Sequence, residues 1–271
     1  MRLNKYISHN TIYSRREADK LIQEGFVKVN GKVVKEPYYE VKRGDKVFVK
    51  GKPVKEKKVF TVIVYNKPRG ELVAKTDERG RRTIYDSLPA KFKHFIPVGR
   101  LDFASEGLLL LTDSPKVAQA LMESDLERIY KVKIKGSITP AMEEAMKEGL
   151  ELEDATAGAH EKTKIKSMSF APFFAYQIIK NDPNYSKLKI ALTEGKNREI
   201  RRFFAHFNRE VLDLKRLEYG GVKLNALPVG KTRYLTKKEY EDLREFLKEF
   251  EKRQKSKKKD KDADYNDQHK S

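Results

Sequence analysis

The 271 residues contain no cysteine, which excludes disulfides, thiol nucleophiles and cysteine-ligated zinc. Histidine is scarce too. His9, His94, His160, His206 and His269 are scattered, with no pair at helical ligand spacing, so no metal site is expected. No apolar run approaches the ~18 residues of a membrane span, so no membrane contact is expected. Met1-Arg2-Leu3-Asn4-Lys5-Tyr6 carries charge without a following apolar stretch, so no signal peptide is expected and the chain reads as cytoplasmic. There is no nucleotide-binding glycine loop, and no small-molecule cofactor is expected. Any chemistry is left to carboxylates, hydroxyls and cations.

Positive charge is abundant. The formal net charge is +19, and a surplus this large repels itself unless a polyanion screens it. Nucleic acid is therefore the first partner to consider. The charge is concentrated at the start, where residues 1–58 hold 16 Lys/Arg against 7 Asp/Glu. Ser14-Arg15-Arg16-Glu17 has the form of a capping box, opening a helix through Ala18, Leu21 and Ile22 that Gly25 closes. Asn30-Gly31 between Phe26–Val29 and Lys32–Val34 predicts a hairpin, and Arg43-Gly44-Asp45 turns the chain into a strand over Lys46–Val49. Residues 1–55 thus form a small helical and β module, and Gly51–Lys58 reads as a linker.

Residues 59–250 read as a mixed α+β domain. Strands are expected over Phe60–Tyr65, Ala175–Lys180 and Lys187–Leu192. Tyr130, Val132 and Ile134 alternate with Lys131, Lys133 and Lys135, a half-buried strand with a basic outer face. Ser114-Pro115 and Thr139-Pro140 start helices, the second carrying Met142, Ala145, Met146 and Leu150. Another helix is expected from about Asn197 to Phe207. Thr236-Lys237-Lys238-Glu239 opens a last one with Leu243, Phe246, Leu247 and Phe250. Residues 251–271 have almost no apolar groups and read as a disordered basic tail.

Three strings carry candidate chemistry. In Gly99-Arg100-Leu101-Asp102, a charged pair precedes the run Leu108–Leu111; an ionised Asp near a core is either a structural ion pair or a site. Tyr130 on its alternating strand is a core residue unless something else singles it out. Arg198, Arg201 and Arg202 are three and four residues apart and can share one helical face. They form either a solvated face paired to Glu194 and Glu199 or a clamp for phosphate or carboxylate.

Together these strings resemble a known family. Asn66-Lys67-Pro68-Arg69-Gly70, Gly99–Asp102 through Leu111-Thr112, Tyr130-Lys131-Val132, Glu194–Phe203, Leu214-Lys215-Arg216 and Gly230–Thr236 follow the order of the RsuA-type ribosomal RNA pseudouridine synthases. The basic first module resembles the alpha-L RNA-binding motif, like that of ribosomal protein S-four, that this family usually carries. The resemblance implies a largely antiparallel, bifurcated mixed sheet with a central cleft, and isomerisation of uridine without a cofactor. It implies that Asp102 is the catalytic aspartate, Tyr130 the tyrosine at the target base and Arg201 the basic partner of the aspartate. Arg100 matches the residue that helps fill the space the base vacates. Lys5, Arg15, Arg16 and Lys28 in the first module, with Lys67, Arg198 and Arg202 in the second, are the further candidate RNA contacts. A glycine commonly closes the turn after Thr112; here Asp113-Ser114-Pro115 does, which puts that loop in question.

The implied chemistry breaks a C–N glycosidic bond, turns the uracil and rejoins it through carbon. It is redox-neutral. The base must leave its stack, at a cost of a few kcal/mol. Asp102 can act as nucleophile on the sugar carbon or as base on a ribose proton. The expected partner is ribosomal RNA, free or in pre-ribosomal particles. Asn197–Arg202 lies closer to the branch that acts on large-subunit RNA. A non-catalytic RNA-binding or ribosome-assembly protein would explain the charge equally well, but not these strings in this order. A DNA-binding protein gains nothing from the alpha-L resemblance.

Overall fold

The computed structural model describes residues 1–56 and 59–268, with side chains up to Gln254 and at Ser256. The first module packs α1 (Leu3–Asn10) and α2 (Arg15–Gln23) on four short strands, β1 (Val27–Val29), β2 (Lys32–Val33), β3 (Val47–Val49) and β4 (Lys52–Pro53), in the order β2-β1-β3-β4. The capping box forms in full. The Ser14 hydroxyl accepts from the Glu17 N–H at 3.2 Å, and the Glu17 carboxylate accepts from the Ser14 N–H at 2.7 Å. Leu3, Ile7, Ala18, Leu21 and Ile22 close against the valines of β1 and β3. The expected linker begins too early: Lys52 and Pro53 pair with Val49 and Phe48, adding an edge strand to the module. Proline is tolerated there because an edge strand has a free side. Lys57 and Lys58, the end of that linker, lie outside the described residues.

The larger domain contains β5 (Val62–Lys67), α3 (Ile84–Ser87), β6 (Ile96–Pro97), β7 (Glu106–Thr112), α4 (Pro115–Met122), β8 (Arg128–Lys135), α5 (Pro140–Glu148), β9 (Leu150–Leu152) and β10 (Met168–Phe170). It continues through β11 (Ala175–Lys180), β12 (Tyr185–Leu192), α6 (Glu199–His206), β13 (Val211–Tyr219), β14 (Val222–Lys223), β15 (Thr232–Tyr234) and α7 (Lys237–Gln268). The main sheet runs β11-β12-β8-β13-β7-β5-β15, with β14 on β13 and β6 on β7. Every pairing is antiparallel except β13 with β7, where Lys215 faces Glu106 and Arg216 faces Gly107. Gly107 is needed at this junction. Its φ is +102°, and a Cβ there would lie 2.2 Å from the Arg216 carbonyl oxygen.

The two halves of the sheet are packed differently. In one half, both faces are covered: Leu108 and Leu110 enter a core with Val62, Val64, α4 and Leu243 of α7. Leu109 and Leu111 enter another with Ile63, Tyr65, Ile84 and Phe92. Burial on both faces is why the string is four consecutive leucines rather than an alternation. In the other half, Tyr130, Val132, Ile134, Leu188 and Ile190 face α5 and α6 across one core, while Lys131, Lys133 and Lys135 point the other way. The turn after Thr112 is well made without glycine. Asp113 accepts from the Thr61 N–H (2.8 Å), and Ser114 caps α4 with Pro115 in its first turn.

Two further expectations need correction. Leu150 is not on α5, which ends at Glu148; it begins β9 and pairs with Phe170. The tail expected to be disordered from residue 251 instead continues α7 to Gln268. Lack of apolar groups removes packing but not helix formation, and Lys, Glu, Gln and Arg are good helix formers. Glu251 also pairs with Lys116 of α4 at 2.5 Å, and Arg253 with Glu249 one turn earlier at 4.0 Å. Residues 269–271 lie outside the described residues. Among the described residues, no helix is long and apolar enough to cross a membrane.

Candidate active site

A cleft of 920 Å³ opens between the two halves of the domain, on the face of the sheet that carries α6. Asp102 lies on its wall, in the loop between β6 and β7. That loop is held from beneath by Lys67 at the end of β5, whose ammonium donates to the carbonyls of Pro68 (2.9 Å), Asp102 (3.1 Å) and Ser105 (2.7 Å). Lys67 is fully buried, and burial pulls its pKa down to about 8. It is therefore a fastening of the Asp102 loop, not the RNA contact expected of it.

The Asp102 carboxylate meets two guanidiniums from the start of α6. Arg198 Nη1 lies 3.1 Å from Oδ2, and Arg201 Nε 3.6 Å from the same oxygen. Arg201 also donates to the Ser105 hydroxyl at 3.1 Å. Arg100, read as the charged neighbour of Asp102, is instead exposed at the mouth of the cleft beside Phe103. Tyr130 lies against the cleft, mostly buried, its ring on the core side of β8.

Arg198 sits at φ +50°, a left-handed conformation uncommon outside glycine, and its side chain is held at both ends. Its Nε donates to the Gly158 carbonyl (2.8 Å) while Nη1 holds Asp102. Gly158 belongs to a loop between β9 and β10 whose neck is closed by the Ala155 N–H on the Lys166 carbonyl at 2.6 Å. The loop lies directly on α6. A Cβ on Gly158, at φ +70°, would come within 2.5 Å of the Arg201 carbonyl oxygen.

Arg202 fastens this strap. It has no exposed surface, and its donors reach the carbonyls of Ala155 (2.6 Å), Ile165 (3.2 Å) and Asn197 (3.0 Å), with the Thr163 hydroxyl and the Asn197 side chain. The three arginines therefore do not share one face: two look into the cleft and Arg202 looks into the strap. Arg202 offers nothing to a phosphate, contrary to expectation. The shielding comes from residues about forty positions away in sequence, so helical spacing could not reveal it.

Three arginines missed as site residues line the cleft as well: Arg81, paired with Asp77 at 2.9 Å, Arg128 and Arg216. Arg128 is buried and spends its donors on Leu126, Thr193, Ser124 and the Tyr219 hydroxyl. Arg216 is buried, with Nε on the Leu108 carbonyl (2.8 Å) and Nη2 without a partner. The only signal for it was its place in the Leu214-Lys215-Arg216 string. Against these cations, the cleft lining has two acids among the described residues, Asp102 and Glu199.

Glu199 is buried beside Glu194. Burial, then the hydrogen bond to Glu194 and that group's charge, pushes its pKa up to about 8. Glu194 goes the other way. Its own burial opposes ionisation, but the hydrogen bond from Glu199, the Lys196 ammonium and the Ala171 N–H outweigh it. Glu199 therefore carries the proton of the pair at neutral pH. A folded-state pKa above the unfolded one means that stability is lost as pH rises from about 4.5 through about 8. Glu199→Gln keeps a neutral hydrogen-bonding group, so melting temperatures of wild type and variant should converge near pH 5. Wild type should fall below the variant by pH 8.5; parallel curves would show that Glu199 does not titrate there.

In the first module, Arg15, Arg16 and Lys28 are exposed and Lys5 is partly so. Lys28 projects from the open face of β1, between buried Val27 and Val29.

Residues 61–206 match the family described as RNA pseudouridylate synthase, and residues 1–47 match the S4 domain. An uncharacterized RNA pseudouridine synthase of Helicobacter pylori is 58% identical over 250 residues, 91% of this chain and 95% of that protein. The ribosomal large subunit pseudouridine synthase B of Bacillus subtilis is 35% identical over 90% of this chain and 95% of its own length. A crystal structure of a pseudouridylate synthase superimposes with a TM-score of 0.61 at 26% identity, covering 90% of this chain and 99% of the other.

Proposed function

The chain belongs to the RNA pseudouridylate synthase family, in its RsuA-type branch with an N-terminal S4 domain, and from that premise we propose that it isomerises a specific uridine of large-subunit ribosomal RNA. The observation that carries the reading is the Asp102 carboxylate, held by Arg198 and Arg201 in a cleft whose lining carries several more cations and, besides Asp102, the acid Glu199. A cationic cleft suits a sharply bent phosphodiester chain that delivers one extruded nucleotide. The name of the Bacillus subtilis relative and the Asn197–Arg202 string favour the large subunit. Ribosomal RNA, free or in pre-ribosomal particles, is then the partner and the cytoplasm the compartment.

In this reading the N1–C1′ bond breaks, uracil turns in the cleft, and C5 bonds to C1′. The C5 proton is lost and N1 ends protonated, so the product is an isomer. Asp102 supplies the anion, as nucleophile on C1′ or as base on the ribose. Arg198 and Arg201 hold that anion in place, with Arg201 tied to Ser105 so that it does not swing into the space for the base. Tyr130 packs against the uracil. The orphaned Nη2 of Arg216 is a donor for a uracil carbonyl or ribose oxygen. Arg100 and the exposed ring of Phe103 at the rim fill the gap left in the RNA. Lys5, Arg15, Arg16 and Lys28 of the S4 domain hold phosphates and read no bases. A non-catalytic RNA-binding protein has no use for an aspartate clamped in a cleft by two arginines.

The reading is tested with purified protein and full-length large- and small-subunit transcripts, mapping pseudouridine at nucleotide resolution. Conversion of one or a few uridines in the large-subunit transcript is expected. Conversion confined to the small-subunit transcript would overturn the subunit assignment. Conversion of neither, on deproteinised RNA or on pre-ribosomal particles, would overturn the ribosomal substrate.

A further inference from the structure

The cleft uses one face of the sheet; the opposite face of β8, β12 and β13 has a composition that the cleft does not explain. Across these strands, Lys189 faces Lys131 and Lys131 faces Lys215, while Lys187 faces Lys133. Like charges in directly opposed positions destabilise a sheet. Neighbouring strands are only about 4.8 Å apart, so the lysines stand as a compact block. Among the described residues, none of Lys131, Lys133, Lys187, Lys189 or Lys215 has a carboxylate within 4.0 Å. Two acids stand in the block's register: Asp213, opposite Lys133, is already paired with Arg69, and Glu106, opposite Lys215 at the margin of the block, lies beyond ion-pair distance of it. At the edge, the Tyr185 ring has the ammoniums of Lys180 (3.8 Å), Lys133 (4.5 Å) and Lys187 (5.6 Å) around it.

The inner faces of these strands are fully committed. Tyr130, Val132, Ile134, Leu188 and Ile190 pack on α5 and α6, and Tyr130, Leu192, Leu214 and Arg216 line the cleft. The lysines lie on the reverse, with Lys131 and Lys189 exposed and the other three half-exposed. Nothing in the fold requires lysine at these positions: a half-buried strand is equally satisfied by threonine, glutamine or paired charges of opposite sign. A polyanion is the occupant that turns this repulsion into attraction.

We propose that the reverse face of the β12-β8-β13 sheet is a second RNA-docking surface, which holds phosphates of a segment remote from the target uridine. The inference rests on the pseudouridine synthase reading and deepens it. The block and the cleft lie on opposite faces of one sheet, so a single short stem cannot touch both. The substrate must be an RNA large enough to reach around the edge of the domain. The surface then favours a large folded RNA over small hairpins without reading a base, since lysine contacts to phosphate carry no sequence information.

The test uses the full-length chain and the triple variant Lys131→Ala, Lys187→Ala, Lys189→Ala. Two substrates share the same target uridine, a minimal hairpin and a folded transcript of several hundred nucleotides. On the hairpin, conversion and affinity should match wild type. On the long RNA, affinity should fall about tenfold at low salt. The slope of log affinity against log salt should become shallower by about 2 to 3, as expected for three lost phosphate contacts. Removing mutual repulsion should leave the melting temperature equal or higher, which separates this effect from misfolding. Unchanged affinity and slope on the long RNA would overturn the proposal, as would an equal loss on both substrates. If wild type converts neither substrate, it is the enzyme reading that fails; if wild type converts both and the triple variant matches it, only the second surface fails.

Discussion

Asp102→Asn should drop pseudouridine formation below detection while leaving the fold and RNA binding in place. The substitution keeps the shape of the side chain and its hydrogen-bonding capacity but removes the anion, and the isomerisation needs the charged oxygen as base or nucleophile. Arg198 and Arg201 then lose their shared counter-charge, but Arg201 keeps Ser105 and Arg198 keeps the Gly158 carbonyl. The Asp102 loop keeps its own support, because Lys67 holds it through backbone carbonyls rather than through the carboxylate. Asp102 is also partly exposed, so its loss leaves no buried charge stranded. The expected pattern is a melting temperature within a few degrees of wild type, unchanged affinity for the RNA, and no conversion. If Asp102 were only a structural ion pair, the pattern would reverse, with stability altered and turnover retained. A filter-binding curve, a thermal melt and a conversion assay on one protein preparation separate the two.

The second large effect belongs to a residue that touches no substrate. Arg202→Met keeps much of the side chain's volume but strips every donor from the strap, leaving the buried bond to the Ala155 carbonyl and the partly buried one to the Ile165 carbonyl unmade. Unsatisfied buried acceptors cost about 1–3 kcal/mol each, so a loss of roughly 3 kcal/mol in stability is expected. The consequence for activity is indirect. With the neck of the strap released, the Gly158 carbonyl no longer fixes Nε of Arg198, and the closer of the two guanidiniums on Asp102 is free to turn away. We therefore expect kcat to fall at least tenfold with KM little changed, and hydrogen exchange to accelerate over residues 155–166. Arg202→Lys retains one of the several bonds and should recover part of the stability but little of the rate. A variant that is merely less stable, with full kcat below its melting temperature, would remove Arg202 from the positioning of the site.

These two residues also mark what was legible in the sequence. Asp102 was visible because an acid preceding a four-leucine run demands a reason, and the family's order of strings supplied one. The capping boxes at Ser14 and Thr236, the Asn30-Gly31 hairpin and the alternation from Tyr130 to Lys135 were visible because each is a local rule, decided within a few residues. The errors share a different cause. Arg202 and Lys67 were read as free cations, yet their burial comes from carbonyls of the strap and of the Asp102 loop, dozens of residues away in sequence. Arg198 was assigned to RNA rather than to Asp102 because only the left-handed turn at its own backbone, and the strap behind it, aim it there. The tail was misread because scarcity of apolar residues was taken to deny helix formation as well as packing. The basic outer face of β8 was read correctly as a strand property, but the matching lysines of β12 and β13 become one surface only when the register is known.

The proposed activity is pseudouridine formation in large-subunit ribosomal RNA through Asp102. Its most direct test maps pseudouridine at nucleotide resolution in both ribosomal RNAs from cells with the gene, without it, and with the Asp102→Asn allele alone. At least one large-subunit position should be modified in the first strain and unmodified in the other two, with Asp102→Asn protein present at normal abundance. Identical maps in all three strains, or restoration of the modification by Asp102→Asn, would contradict it.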